Sequence, residues 1–191
     1  MSFYQQSFPH LKTSIKNKHQ LWITLDNEVQ SNAITYEMIE SLTKVLTFAD
    51  FDREVRVIVL TGAGKNFCSG GDIKAMEEKS GMFAGESDEL RVRYMHGIQS
   101  IPKKIEEVSK PIIALVNGAA IGAGCDLSMM CDLRVGTSKS KFGETFSKMG
   151  LVPGDGGTFF LTRVVGYRLA MEMFLTAKIY EGNEALKLGL L

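Results

Sequence analysis

Apolar positions along the chain fall into short β-rich runs separated by longer stretches of helical spacing. Residues 21–25 (Leu-Trp-Ile-Thr-Leu) alternate, which predicts a strand, with a partner over 11–15. Thr35 is a suitable N-cap, and Met38, Ile39, Leu42 and Leu46 then share one face, predicting a helix to Ala49. Residues 55–61 (Val-Arg-Val-Ile-Val-Leu-Thr) form the clearest strand, closed by Gly62 and Gly64. From 74 to 89 the chain is polar and weakly periodic, compatible with a mobile flap or a short helix. Met95, Ile98, Ile101 and Ile105 predict a helix over 90–108, which Pro102 should kink or split. Residues 111–116 (Pro-Ile-Ile-Ala-Leu-Val) suit a strand buried on both faces. Further strands are predicted over 132–135 and near 141–142, a loop over 150–157, and short helices over 158–165, 167–176 and 182–188. Strands alternating with helices define an α/β fold with crossover connections.

Two glycine-dense bends break this pattern, each at the C-terminal end of a predicted strand: Cys68-Ser-Gly-Gly-Asp-Ile-Lys74 and Gly122-Ala-Gly-Cys-Asp126. The second opens a helix on which Leu127, Met130 and Cys131 recur, so its first N–H groups lack intrahelical acceptors. If the bends face one another, one N–H from each can converge on a carbonyl oxygen and hold the charge of an enolate-like state. Two tight turns without a ligand fit the same residues.

At 191 residues the chain suits one domain, and 22 basic against 22 acidic residues give no sign of nucleic-acid or membrane attachment. No apolar run approaches the ~18 residues of a membrane span, and the first ten residues carry no export pattern, so a cytoplasmic protein is expected. Cys68, Cys125 and Cys131 lack CxxC spacing and fit buried reduced thiols, not a disulfide framework or a zinc site. Gly62-Ala63-Gly64-Lys65-Asn66 fails as a phosphate loop, since the lysine is followed by Asn. The run from Gly118 to Gly124 has the wrong spacing for a dinucleotide fingerprint.

Four motifs in order carry a resemblance: Asn32-Ala-Ile; Ser69-Gly-Gly-Asp-Ile-Lys74; Asn117-Gly-Ala-Ala-Ile-Gly-Ala-Gly-Cys-Asp-Leu-Ser-Met-Met-Cys-Asp132; and Gly150-Leu-Val-Pro-Gly-Asp-Gly-Gly-Thr158. Together with Leu161-Thr-Arg-Val-Val-Gly166 and the segment 184–190, they make essentially all of residues 1–191 resemble the crotonase superfamily, the enoyl-CoA hydratases and isomerases. The resemblance implies a spiral of ββα turns, a coenzyme A thioester as substrate, no separate cofactor or metal, and homotrimers or paired trimers. The trimer-forming C-terminal helical region is missing from this chain, which stops at Leu190-Leu191 as though interrupted.

The resemblance also places an oxyanion hole on the N–H groups of Gly71 and Ala123, and a thioester-binding segment on Gly71, Asp72, Ile73 and Lys74. Ala123 stands where glycine is frequent, which matters little if its φ is negative. Of the two glutamates that hold water in hydratases, the first position is Asp126 and the second is Phe146, whose ring exchanges no proton. Glu144 and Asp155 are the available substitutes. An extended segment over 142–146 would put Glu144 on the side of residue 146, and Asp155 lies where some isomerases of the family carry a carboxylate. The expected activity is hydration or double-bond shift of an enoyl-CoA through Asp126 with Glu144 or Asp155, isomerisation slightly favoured. The alternatives are a CoA-binding relative with altered catalysis and an acyl-CoA hydrolase on the same scaffold.

Overall fold

The computed structural model describes residues 3–191. Its strands are β1 (Leu11–Lys16), β2 (Gln20–Leu25), β3 (Val57–Gly62), β4 (Ile112–Val116), β5 (Ala119–Ile121), β6 (Leu133–Gly136), β7 (Lys141–Gly143) and β8 (Ile179–Glu181). The helices are α1 (Tyr36–Phe51), α2 (Ile73–Glu77), α3 (Ser87–His96), α4 (Ser100–Glu107), α5 (Ala123–Met129), α6 (Gly157–Thr176) and α7 (Gly182–Lys187). The main sheet has the order β1-β2-β3-β4-β6, antiparallel between β1 and β2 and parallel thereafter. Its buried side chains, among them Leu21, Ile23, Ile58, Leu60, Ala114 and Val116, share a core with Met38, Leu42, Val45 and Leu46 of α1 and Ile101 and Ile105 of α4.

A second sheet, β5-β7-β8, is prolonged by single bridges between Cys68 and Ala120 and between Ile34 and Gly71. Each winding of the chain therefore places one strand in the main sheet, a short extended piece in the second, and then a helix. The sets are β2, Ile34 and α1; β3, Cys68 to Gly71 and α2–α4; β4, β5 and α5; β6, β7 and α6. This is the ββα spiral that the resemblance implies, and it stacks residues 68–71 directly on 119–123.

The N-cap of α1 is as expected: the Thr35 hydroxyl accepts the Met38 N–H at 3.2 Å. The predicted 90–108 helix is split, but at Gly97 (φ −95°, ψ −109°) and not at Pro102. Pro102 is the third residue of α4, where an N–H would have no intrahelical acceptor, so the ring costs the helix nothing. The stretch 74–89 holds a short helix and a 3₁₀ turn (Gly81–Phe83). The helices predicted over 158–165 and 167–176 are both present, as the two halves of α6 on either side of the non-helical Gly166 (φ 79°, ψ 160°). β4 buries Ile112, Ala114 and Val116 on one face and only half-buries the other. β5 and β8, three residues each, are too short to register as alternation and were not expected. Among the described residues no helix is long and apolar enough to cross a membrane.

Candidate active site

A buried asparagine, Asn32, and a half-buried one, Asn117, prepare the first bend. The Asn32 amide nitrogen donates to the carbonyls of Ala63 (3.0 Å) and Asn66 (2.9 Å), and its oxygen accepts the Asn27 N–H. Asn117 Oδ1 accepts the Gly62 N–H at 3.1 Å while its nitrogen donates to the Gly64 carbonyl. With both ends of the 62–67 turn held, Cys68 pairs with the third winding: its N–H donates to Ala119, and the Ile121 N–H donates to its carbonyl, both at 3.0 Å. Gly70 then turns at φ 92°, where a Cβ would lie 2.7 Å from the Ile121 oxygen and 3.2 Å from the Ala123 nitrogen. The strained φ and the close approach both require glycine.

Gly122 makes the opposing bend at φ 54° and ψ −126°, anchored by donation of its N–H to the Gly143 carbonyl at 2.8 Å. Ala123 follows as the first residue of α5 and is absent from the positive-φ residues, so the alanine is accommodated without strain. The N–H groups of Gly71 and Ala123 donate to no backbone carbonyl or side chain among the described residues. Both residues line a small cleft of about 50 Å³ with Ser69, Gly122, Phe146 and Met149. The sequence-predicted donors are thus brought together, free, at one cavity.

The three candidate acids converge on one another in the interior, and none of them lines the cleft. Asp126 lies one turn into α5. Glu144 directly follows β7, which the Gly122–Gly143 bond and the β5–β7 ladder hold beside α5. Asp155 comes in on the loop before α6, where the Gln99 side chain donates to the Gly154 carbonyl at 2.7 Å. All three carboxyls are buried, and Asp126 lies within hydrogen-bonding reach of both others. Among the described residues no backbone N–H, amide or alcohol hydroxyl donates to the oxygens of Asp126 or Glu144, whose neighbours are the other acids and, for Glu144, the Cys125 thiol. Close approach of α6 requires Gly157, since a Cβ there would collide with the Asp126 carboxyl.

Burial dominates the electrostatics. It pushes Asp126 well above the usual carboxylate range, reinforced by the charges of Glu144 and Asp155. It raises Glu144 to about 7 against hydrogen bonds from Asp126 and Cys125, and raises Asp155 against a hydrogen bond from Asp126. The cluster therefore holds at least one proton near neutrality, next to a group able to accept one. The consequence for stability has a definite sign. Between the unfolded pKa of a glutamate, near 4.5, and about 7, the unfolded state loses a proton that folded Glu144 keeps, so stability falls as pH rises through that window. Glu144→Gln should flatten this part of the Tm–pH curve between pH 4.5 and 7.5. A variant with the wild-type slope would place the titration elsewhere.

Not every expectation about the site holds in detail. The strand carrying Glu144 stops at Gly143, and Phe146 opens a 3₁₀ turn (Phe146–Met149), so alternation does not relate residues 144 and 146. The Phe146 ring instead lies over the Gly122 bend, its Cζ 3.9 Å from where a Cβ of Gly122 would be. Glu144 sits deeper. Asp72 is the N-cap of α2, accepting the Ala75 N–H, and also accepts from Gln30. Ile73 is half-exposed, and Lys74 is at the surface 3.7 Å from Glu78. These residues flank a groove of about 250 Å³ outside the cleft together with Gln30 and Ser69. The three cysteines are buried and free, and His96 is exposed. Among the methionines, Met82, Met129 and Met130 are buried, Met76 lines the cleft and Met95 is at the surface. Gln99 and Tyr94 escaped sequence reasoning, because only the break at Gly97 turns them toward the 150–156 loop. Among the described residues no set of three His, Cys, Asp or Glu has the geometry of a metal site.

The ββα spiral thus carries two backbone N–H groups with no partner among the described residues at one cleft, and three buried acids that meet one another close by. A family model described as enoyl-CoA hydratase/isomerase matches residues 16–191. The chain is 34% identical over 169 residues to the short-chain-enoyl-CoA hydratase of Clostridium acetobutylicum, covering 88% of this chain and 62% of that protein. It is 37% identical over 160 residues to the crotonyl-CoA hydratase of Syntrophomonas wolfei, covering 83% and 59%. The crystal structure of an enoyl-CoA hydratase from Bacillus anthracis superposes with a TM-score of 0.87 at 30% identity, covering 95% of this chain and 68% of that one. The chain belongs to the enoyl-CoA hydratase/isomerase family of the crotonase superfamily. It spans about three-fifths of the length of these curated relatives.

Proposed function

We propose that the chain carries an acyl-CoA active site of the enoyl-CoA hydratase/isomerase type, with Gly71 and Ala123 as the oxyanion hole and Asp126, Glu144 and Asp155 as the proton-handling groups. The observation that supports this reading is the pair of N–H donors, without a partner among the described residues, opening onto one cleft, with three mutually adjacent buried acids in the same windings of the chain. Coenzyme A enters as part of the substrate along Gly71 to Lys74, and no separate cofactor is required. The whole protein is read as a cytoplasmic homotrimer or dimer of trimers. The half-exposed apolar side chains of Leu133 and Val135 on edge strand β6 are consistent with burial between subunits.

In a 3-enoyl-CoA, a carboxylate of the cluster takes a proton from C2. The electrons move to the thioester oxygen, where the N–H groups of Gly71 and Ala123 hold the developing charge. A carboxylic acid of the cluster then returns a proton at C4, giving the 2-enoyl thioester. The raised pKa values suit this exchange, because an acid and a base coexist at neutral pH. Hydration works best with two carboxylates holding a water, and Phe146, whose ring exchanges no proton, lines the cleft where the resemblance places the second glutamate. Isomerisation is therefore the favoured reaction, with hydration second.

A second reading, an acyl-CoA binder with altered catalysis, draws on the complete burial of Asp126 and Glu144. Incubation with crotonyl-CoA and with a 3-enoyl-CoA, read by mass and by ultraviolet absorbance, separates the cases. Isomer without mass gain supports the double-bond shift, and a gain of one water supports hydration. Acyl-CoA binding without conversion of either substrate supports the binder.

A further inference from the structure

Asp155 sits in a permissive stretch of backbone. The run Pro153-Gly154-Asp155-Gly156-Gly157 places the acid between two glycines, of which Gly156 turns at φ 120°, and glycine gives up more conformational freedom on ordering than any other residue. The carboxyl is nevertheless buried and within hydrogen-bonding reach of Asp126. Among the described residues, the main chain of 152–155 makes one hydrogen bond to the rest of the protein: the Gln99 side-chain amide donates to the Gly154 carbonyl at 2.7 Å. That carbonyl belongs to the planar peptide that ends at the Asp155 nitrogen, so the bond orients the unit from which the acid departs. The amide itself is firmly mounted. At the break between α3 and α4 the Gly97 carbonyl accepts the Ser100 N–H at 2.9 Å and the Ser100 hydroxyl at 2.6 Å, and the Gln99 N–H donates to the Tyr94 carbonyl at 3.1 Å. A Cβ at Gly97 would lie 2.5 Å from the Arg93 carbonyl oxygen, so this close turn requires glycine. Ile98 and Ile101, on either side of Gln99, are buried in the core.

We propose that Gln99 is a positioning residue: its amide holds the Gly154–Asp155 peptide so that the Asp155 carboxyl meets Asp126 and stays out of water. The inference rests on the reading of Asp155 as a proton-handling group. Proton transfer needs the two carboxyls within hydrogen-bonding distance, and a segment with glycines on both sides of the acid would, untethered, spread Asp155 over many positions. Methionine at position 99 has nearly the length of glutamine and no donor. It leaves the Gly154 carbonyl to seek water, and the acid moves with it. The groups that face Asp155 are Asp126 on α5, Glu144 after β7, Tyr94 on α3 and Cys68 in the first bend, none of them a cation. Burial is the largest influence on the Asp155 carboxyl and raises its pKa, so release of the loop into water lowers it toward the ordinary aspartate range.

A carboxyl titration of the full chain, isotope-labelled at the aspartate carboxyl carbons and followed by NMR, tests the tether without requiring turnover, with Asp155→Asn identifying the Asp155 resonance. Gln99→Met should move the Asp155 midpoint down toward that of an exposed aspartate. On a 3-enoyl-CoA the same variant should lower kcat by about 10- to 100-fold while KM stays within about threefold of wild type. In an Asp155→Asn background Gln99→Met should cost less than about twofold, because no carboxyl is left to place. An unmoved Asp155 midpoint in folded Gln99→Met protein overturns the tether and leaves the enzymatic reading intact. An equal loss of rate in both backgrounds does the same, since a merely structural role gives that result. Wild-type turnover by Asp155→Asn overturns the role of Asp155 and the proposal with it. If the chain converts no acyl-CoA, the enzymatic reading falls and the Asp155 midpoint alone decides the tether. Should Gln99→Met fail to fold, Gln99→Leu takes its place in each comparison.

Discussion

Asp126→Asn is expected to lower turnover by about 10²- to 10⁴-fold and, in the same preparation, to raise the melting temperature at neutral pH. The two effects have one cause. Asp126 is completely buried, receives no N–H or alcohol donor among the described residues, and lies against Glu144 and Asp155. Its carboxyl is held far above its unfolded pKa, so at pH 7 keeping it folded costs free energy that an amide does not incur. Asparagine has the same shape and offers N–H groups to both neighbouring acids, but it neither takes nor gives a proton. Rate measurement on a 3-enoyl-CoA with a thermal melt at pH 7 and at pH 4 checks both halves. The gain in stability should shrink at pH 4, where roughly two-fifths of the unfolded Asp is protonated, against almost none at pH 7. A rate equal to wild type would assign Asp126 a purely structural place, and a lower melting temperature at pH 7 would mean that burial is not what raises its pKa.

Ala123→Pro is expected to cost about 10²- to 10³-fold in kcat with a much smaller change in KM. Proline at the first position of a helix needs no N–H and has a suitable φ, so α5 should form as before. Gly122, the residue before it, already lies outside the α region at φ 54° and ψ −126°. The substitution thus removes one donor of the pair and leaves the fold standing. Ala123→Gly is the control: it keeps the N–H and should retain most of the activity. Equal activity of the alanine, glycine and proline forms would remove this N–H from the mechanism.

The larger elements were legible in the sequence because their signals are local. The apolar face of α1, the Thr35 cap and the β-branched runs of β3 and β4 each carry enough residues to show their period. The two glycine bends were legible as bends, and the resemblance named Gly71 and Ala123. What could not be read was depth. Nothing in the segment 142–146 tells that β7 ends after three residues, that Glu144 then turns inward, or that Phe146 covers the bend. That arrangement is set by Gly122 donating to Gly143, a contact between different windings. Gln99 was invisible for the same reason. Its partner lies 55 residues away, and it faces the loop only because the helix breaks at Gly97.

The stacking of windings also bears on how the protein acquires its site during folding. Cys68 meets Ala120 and Gly122 meets Gly143, so the second, third and fourth windings must all be in register before the cleft exists. Contacts of such sequence separation are slow to close, whereas the β1–β2 hairpin and α1 can form early. An intermediate with the main sheet assembled would still be inactive, with its glycine bends open to solvent. Recovery of activity on refolding should therefore lag behind recovery of secondary structure, making the site a clock for the last step of winding.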